Sequence, residues 1–395
     1  MENHTSHSQR HPVLFHGRAG EYFSIWLVNV LLTIVTLGIY SAWATVRRRR
    51  YFYGNTEIAG DRFDYHARPI SLLVGRIIIV IGLVLFFIIS SISPHLTLLS
   101  LLAFFALIPW MVIRSWRYNA LMSSFRGVRF NYHCRIGRAY WTMYLAPVLM
   151  VVPLVLIVGT IGSIGMSSGS INTGLTTGVL CLVLYLVGLA AIQGIVAAMN
   201  HDLYINNMAF GQLPFKAELS KKAFIKIVLI SLMIMLPFLV VAVLLIGSLF
   251  TSIITAALMG VNDPEIMGNM MAGNVLSIVL TFLVILLGGL ASSAYLVVAQ
   301  RNYVFGQTRL GEKLRLKSTL SAGAFLALTL TNTLIVIFTL GLGAPIAEIR
   351  LARYLANHTE LEGDISLDEV IAHHDSARSA IAEEVVSTFD LNPGI

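Results

Sequence analysis

Residues 41–65 read SAWATVRRRRYFYGNTEIAGDRFDY: a basic helix end, a tyrosine, a short polar run, and Gly60 ten residues after Arg50. The design recurs down the chain. Arg117-Tyr118 precedes Gly127, Arg301 precedes Gly311, Arg353-Tyr354 precedes Gly363, and His201 stands ten before Gly211 in a copy whose arginine is replaced. Thr56, Ser123, Asn207, Gln307 and Thr359 share the sixth position after the basic residue. After each basic end, apolar residues alternate around an X-Gly pair, the pattern of a tight β-hairpin. In the third and fifth copies the alternation after the glycine shifts by one residue.

The first and last copies match over a longer range. Adding 303 to the numbering places Gly20 on Gly323, Asn29 on Asn332, Thr36-Leu37-Gly38 on Thr339-Leu340-Gly341, and Arg47, Arg50, Tyr51, Thr56 and Gly60 on Arg350, Arg353, Tyr354, Thr359 and Gly363. An ungapped match of this length is the mark of a duplicated supersecondary unit.

Composition sets the class. The chain has 395 residues, 56% hydrophobic and only 12% charged. Soluble domains carry about 25% charged residues, so this reads as an integral membrane protein. Apolar runs at about 70–93, 96–113, 140–162, 175–199, 223–250 and 275–299 each supply the ~20 residues that a helix needs to cross a bilayer. Shorter runs at 22–40 and 320–344 head the two matching end units. Residues 1–19 read as a flexible polar tail whose four histidines lack the partners of a metal site, and no signal-peptide pattern precedes the first run. Residues 364–395 form an acidic tail expected to fold against the basic face. Between the tails lies one repeat-built domain, 20–363, with end units 20–68 and 320–363 and central hairpins 69–319. The two cysteines, Cys134 and Cys181, are not expected to pair.

The net charge of +7 is not spread evenly. Every Lys and Arg lies in the tails or at the motif ends of helices, whereas the turns at 91–97, 163–177 and 260–274 carry none. Short loops rich in Lys and Arg stay inside, so the motif face reads as cytoplasmic. Parity then leaves two solutions for the end units. Either both runs cross fully and in opposite senses, or each turns back near Gly38 or Gly341. From Gly38 to Arg47 is roughly 13 Å of helix, too short to recross the core but enough to return from mid-depth. The re-entrant solution keeps all five motifs and both termini inside.

The run YFSIWLVNVLLTIVTLGIYSAWATVRRRRYFYGNTEIAGDRFDYHARP, with its T-L-G-I-Y at Thr36–Tyr40, A-W-A-x-V-R at Ala42–Arg47, Arg50-Tyr51 and Asn55-Thr56, closely resembles the YjgN family of bacterial inner-membrane proteins, classed as a domain of unknown function. The resemblance implies a multi-pass protein of the bacterial inner membrane and brings no reaction or catalytic residue with it.

The expected fold is therefore an all-α, multi-pass transmembrane bundle of degenerate helical-hairpin repeats, carrying short, separate cytoplasmic β-hairpins. Three sets of residues stand out. Arg47/Arg50, Arg114/Arg117 and Arg350/Arg353 repeat at i, i+3 on one helix face, fit either to clamp phosphates of an anionic lipid or ligand or to anchor topology. Asn29 and Asn332 are buried amides at equivalent places, expected to lie near each other, bonding a neighbouring helix or lining a shared polar cavity. The four arginines at 47–50 could suggest nucleic acid, but beside a membrane helix anionic phospholipid headgroups are the expected partner. No ionisable residue lies near the centre of the six long runs, which disfavours proton coupling. With no P-loop, HExxH, CxxC or nucleophile elbow, the chain reads as non-enzymatic, needing no cofactor or metal. Two functions fit: a passive transporter or channel, and a membrane-organising protein whose basic face binds lipid or a partner.

Overall fold

The computed structural model describes residues 9–258, 260, 264–311 and 314–363. The acidic segment 364–395 lies outside them.

Each repeat turns from helix to strand at one polar side chain. Thr56, Ser123, Thr308 and Thr359 each donate a hydroxyl bond to the carbonyl four residues earlier, at 2.7–2.8 Å, and the Asn207 amide does the same to Leu203. Such back-bonding competes with the helix ladder and favours its termination. The strands that follow alternate, with Leu14 as an exposed apolar exception on the outer side. From β1 (Arg10–Phe15) through β2 (Thr56–Ile58), β3 (Asp61–Tyr65), β4 (Ser123–Phe125), β5 (Val128–Tyr132), β6 (Met208–Phe210), β7 (Leu213–Ala217), β8 (Thr308–Leu310), β9 (Leu314–Ser318) and β10 (Thr359–Glu362), apolar side chains face one side and charged or small ones the other. Ala59 and Gly60, and Arg126 and Gly127, both have positive φ at the tips, as a two-residue type I′ turn requires.

These hairpins are not separate, and the expectation of an all-α bundle with short hairpins is corrected here. The ten strands close into one antiparallel barrel in the order β1-β10-β9-β8-β7-β6-β5-β4-β3-β2. The reason is edge chemistry. A lone hairpin leaves two rows of unpaired N–H and C=O groups, and a ring of hairpins can pair each row with its neighbour until none is left. The fifth hairpin has only its first strand, β10. The N-terminal β1 supplies the missing partner, pairing through Arg10–Pro12 with β10 and through Val13–Phe15 with β2. Residues 10–15, read as part of a flexible tail, are thus the strand that closes the barrel.

The helices hang from this barrel in pairs. Among the described residues, six stretches are long and apolar enough to cross a membrane. They are α3 (Pro69–Ile92), α4 (Pro94–Met122), the run from α5 (Ile136–Tyr140) through a π-helical turn into α6 (Ala146–Ser167), α7 (Ile171–Ile205), α8 (Lys221–Leu258) and α10 (Val275–Gln307), with a short α9 (Pro264–Gly273) in the last far turn. Only 6–17% of their most apolar windows is buried. So much exposed Leu, Ile, Val and Phe demands a hydrocarbon solvent.

The end units are shorter. α1 (Ala19–Val35) and α2 (Ser41–Gly54) pair as one hairpin, α11 (Ala322–Phe338) and α12 (Ala344–Asn357) as the other. At 1.5 Å per residue α1 is about 25 Å long and α2 about 21 Å, against a hydrocarbon core of ~30 Å. Their T-L-G motif is the turn. The Thr36 hydroxyl accepts from the Tyr40 N–H at 2.9 Å, and Thr339 from the Gly343 N–H at 2.7 Å. Gly38 and Gly341, with φ of 93° and 91°, donate back five residues in a Schellman-type stop. Leu37 and Leu340 sit in the left-handed region at φ 50°, each 94% exposed. Both end units leave the barrel and return to it, as the three long hairpins do.

Candidate functional site at the barrel–helix junction

The arginine-tyrosine motif lies where strands meet helices, and its side chains stitch the repeats together. Arg50 donates through Nε to the Tyr65 carbonyl and through Nη2 to that of Ala67, both at 3.2 Å. Arg353 donates to the Gly17 carbonyl at 3.0 Å. Ala67 and Gly17 hold the same place in two copies of a second motif, Tyr65-His66-Ala67-Arg68 and Phe15-His16-Gly17-Arg18. Each arginine therefore grips the strand-to-helix connection of the next repeat, with the first repeat following the last. The tyrosine works within its own repeat. Tyr51 Oη accepts from the Arg18 N–H at 2.8 Å, and Tyr354 Oη from that of Ser321 at 3.3 Å, fixing the start of the first helix.

The fourth copy is shifted by one residue from its sequence alignment. Asn302, not Arg301, holds the next connection, through the Leu320 carbonyl at 2.8 Å. Tyr303 takes the tyrosine role on Ser220, and Thr308 rather than Gln307 makes the helix-ending bond. Arg301 instead bonds Thr359 at 3.1 Å, with its guanidinium over the Phe305 ring.

Asn29 and Asn332 do not pair with each other. Each accepts from the arginine eighteen residues on in its own unit: Arg47 Nη1 to Asn29 at 3.4 Å, and Arg350 Nη1 to Asn332 at 2.8 Å. Arg114 lies over the Trp110 ring, its carbon 5.7 Å from the centroid, and Arg117 is engaged within the fold. Arg49 donates to Tyr65 Oη at 2.7 Å, and burial pushes the Tyr65 phenol up to about 12 despite that cation.

The end units meet at a seam that breaks the duplication. Tyr22 donates to Glu348 at 2.8 Å and Arg48 approaches the same carboxylate at 3.4 Å. The equivalents of Tyr22, Arg48 and Glu348 under the 303-residue shift are Phe325, Leu351 and Thr45, a set without the phenol hydroxyl and guanidinium donors that this cluster needs. Thr45 instead accepts from Arg76 of α3 at 2.9 Å. Grooves of about 310 Å³ beside Asn29 and about 480 Å³ beside Asn332 flank the seam, the first including Arg48 in its lining and the second Glu348.

A belt of exposed cations surrounds the junction. Arg18, Arg68, Arg135 and Lys221 stand at the starts of α1, α3, α5 and α8, and the first three helices have no side-chain N-cap bond. Sequence reasoning missed these residues. The signal was present in the recurrence Phe15-His16-Gly17-Arg18, Tyr65-His66-Ala67-Arg68 and Tyr132-His133-Cys134-Arg135, which also marks Phe15 as the end of a strand. Cys134 and Cys181 are free thiols. Among the described residues no group of three or more His, Cys, Asp or Glu could hold a metal ion.

The family model described as "Bacterial protein of unknown function (DUF898)" matches residues 10–388. The chain belongs to this family. Among curated relatives, the Inner membrane protein YjgN of Salmonella typhimurium is 32% identical over 369 residues, covering 91% of this chain and 90% of that one. The proteins of the same name in Escherichia coli O157:H7 and K12 are each 29% identical over 362 residues, covering 90% of this chain and 89% of theirs. No solved structure matches. This chain is accordingly an inner-membrane protein with six membrane-capable helices among its described residues, and the family match begins at Arg10, the first residue of the closing strand.

Proposed function

We propose that this chain is a non-enzymatic, membrane-organising protein whose barrel stands on the cytoplasmic surface and whose junction belt binds anionic phospholipid headgroups. The belt carries the reading. Arg18, Arg68, Arg135 and Lys221 place an exposed cation at the first turn of a lipid-facing hairpin in four successive repeats, and uncapped helix N–H groups lie beside the first three. Each such cation contributes about 1 kcal/mol at a negatively charged leaflet. Arg47, Arg50, Arg350 and Arg353 use donors within the fold, so headgroup binding rests mainly on the belt, with Arg114 beside it. The positive-inside rule puts this end of the molecule, and both termini, in the cytoplasm.

The test is lipid retention. Protein held in nanodiscs of mixed phosphatidylcholine and phosphatidylglycerol should keep phosphatidylglycerol above its bulk share on mild extraction. Changing Arg18, Arg68, Arg135 and Lys221 together to Gln should remove that excess. Equal retention by both proteins sinks the proposal.

A passive transport role is the second reading, and the grooves beside Asn29 and Asn332 favour it. It needs a polar path, whereas the cavity inside the barrel is lined only by apolar side chains. A flux screen in proteoliposomes decides between the two.

A further inference from the structure

The inside of the barrel contains a site that the junction belt does not explain. One inward residue from each strand forms a single layer, joined in register as Val13–Ile58, Phe63–Phe125, Phe130–Phe210, Phe215–Leu310 and Leu316–Leu361. The layer has two unlike walls. Strands β3 to β7 contribute only phenylalanine, with ring centroids 4.8 Å apart for Phe63–Phe125 and 4.9 Å for Phe130–Phe210, and the remaining strands contribute only aliphatic side chains. Between them lies a cavity of about 190 Å³ with no polar lining residue. Toward the helices the lumen is filled by Phe15, Tyr22 and Ile349, with Phe52 packed against them, so the cavity sits at the hairpin-tip end.

A ring of strands locked in register around its whole circumference cannot draw together to fill such a space. Water gains no hydrogen bonds there, and apolar cavities of about 150 Å³ stay dry and take up benzene-sized molecules. We infer that the mouth of the barrel is a binding site for one uncharged hydrocarbon group, about the size of a benzene ring or a short alkyl chain, held between the aromatic and aliphatic walls. The group could belong to a free small hydrophobe or to the end of a lipid acyl chain. The chemistry is the same for both.

Photolabelling of the full-length protein in nanodiscs tests this with two probes: hexanoic acid bearing a terminal diazirine, and a phosphatidylcholine bearing the diazirine at its acyl terminus. Adducts on peptides containing Phe63, Phe130, Phe215 or Leu316 are expected from at least one probe, and which probe gives them identifies the source. Leu361→Phe and Leu310→Phe each add volume into the cavity. They should abolish these adducts while leaving labelling of the membrane helices unchanged and unfolding temperature no lower. Should both filling variants misfold, Phe215→Leu enlarges the cavity and should increase barrel labelling. Absence of barrel adducts from both probes, or adducts indifferent to these substitutions, overturns the inference. So does labelling that appears only after residues 364–395 are removed, since the chain would then fill its own cavity.

Discussion

Asn332 and Asn29 show how a residue can be found from sequence and its partner missed. Their equivalence under duplication was legible, but an amide's partner is set by rotamer and helix rotation. Each folds back on an arginine of its own hairpin rather than across the pseudo-symmetric interface. Replacing Asn332 by Leu removes a 2.8 Å bond to Arg350 and should cost about 1–2 kcal/mol, as for interhelical amide bonds in membranes. The same change at Asn29, where the contact is 3.4 Å, should cost less. With no partner shared, the double variant should be additive within about 0.5 kcal/mol in denaturant unfolding. Glu362 gives a pH dependence at the same scale. The Lys317 ammonium at 3.0 Å, helped by Arg10 at 3.6 Å, holds its carboxylate below the usual glutamate range. A depressed folded-state value means the stabilisation is complete above the unfolded carboxylate value and is lost as pH falls through the folded one. Unfolding temperature should therefore drop more steeply on acidification in the wild type than in Glu362→Gln. Parallel pH profiles would assign the acid sensitivity elsewhere. The effect is small because the pair is largely solvated.

Among the elements, helices and hairpins were legible for different reasons, and the barrel was not. Apolar length announces a membrane helix, and an X-Gly pair between alternating residues announces a hairpin. Closure depends on pairing between strands far apart in sequence, such as Phe63 with Phe125 or Arg10 with Glu362, and no local pattern encodes it. The strand that completes the ring was hidden by its neighbours: HPVLF follows a polar, histidine-rich start, and composition outweighed its alternation. The hairpin tips offer a test of local strain. Ala59 occupies the first position of a type I′ turn at φ 51°, where Asn or Gly is normally found, and it is exposed. Ala59→Asn should stabilise the protein by roughly 1 kcal/mol, the cost of a left-handed conformation for an ordinary L-residue. Gly60→Ala at φ 87° should destabilise it by a similar amount. Thermal unfolding of the two variants should move in opposite directions, and a shared direction would mean these tips do not form the turn described.

For the whole molecule, one constraint orders everything else: every helical hairpin, long or short, starts and ends on the barrel. That offers an answer to the parity problem: if the six membrane-capable helices among the described residues cross fully and the two shorter end hairpins turn back, all strands lie on one side. It also explains why the duplicated end units differ where they do. A chain of repeats becomes a ring only if its first and last members recognise each other, and the Tyr22–Glu348–Arg48 cluster does this with residues that the opposite copies lack. Glu348→Thr, which restores the residue of the first copy, should loosen this seam while leaving the other four interfaces intact. Limited proteolysis should then cut first near the end units. The final prediction concerns the termini. β1 and β10 pair through Arg10–Glu362, and the Gly363 N–H donates to the Gln9 carbonyl at 2.9 Å, so the two ends of the described chain emerge side by side. Topology reporters fused at residues 5 and 390 should report the same compartment, and under the proposed orientation of the basic belt that compartment should be the cytoplasm. Opposite compartments would be incompatible with the β1–β10 pairing and hence with a closed barrel. A shared periplasmic location would leave the fold standing and remove the anionic cytoplasmic leaflet from the belt's proposed role.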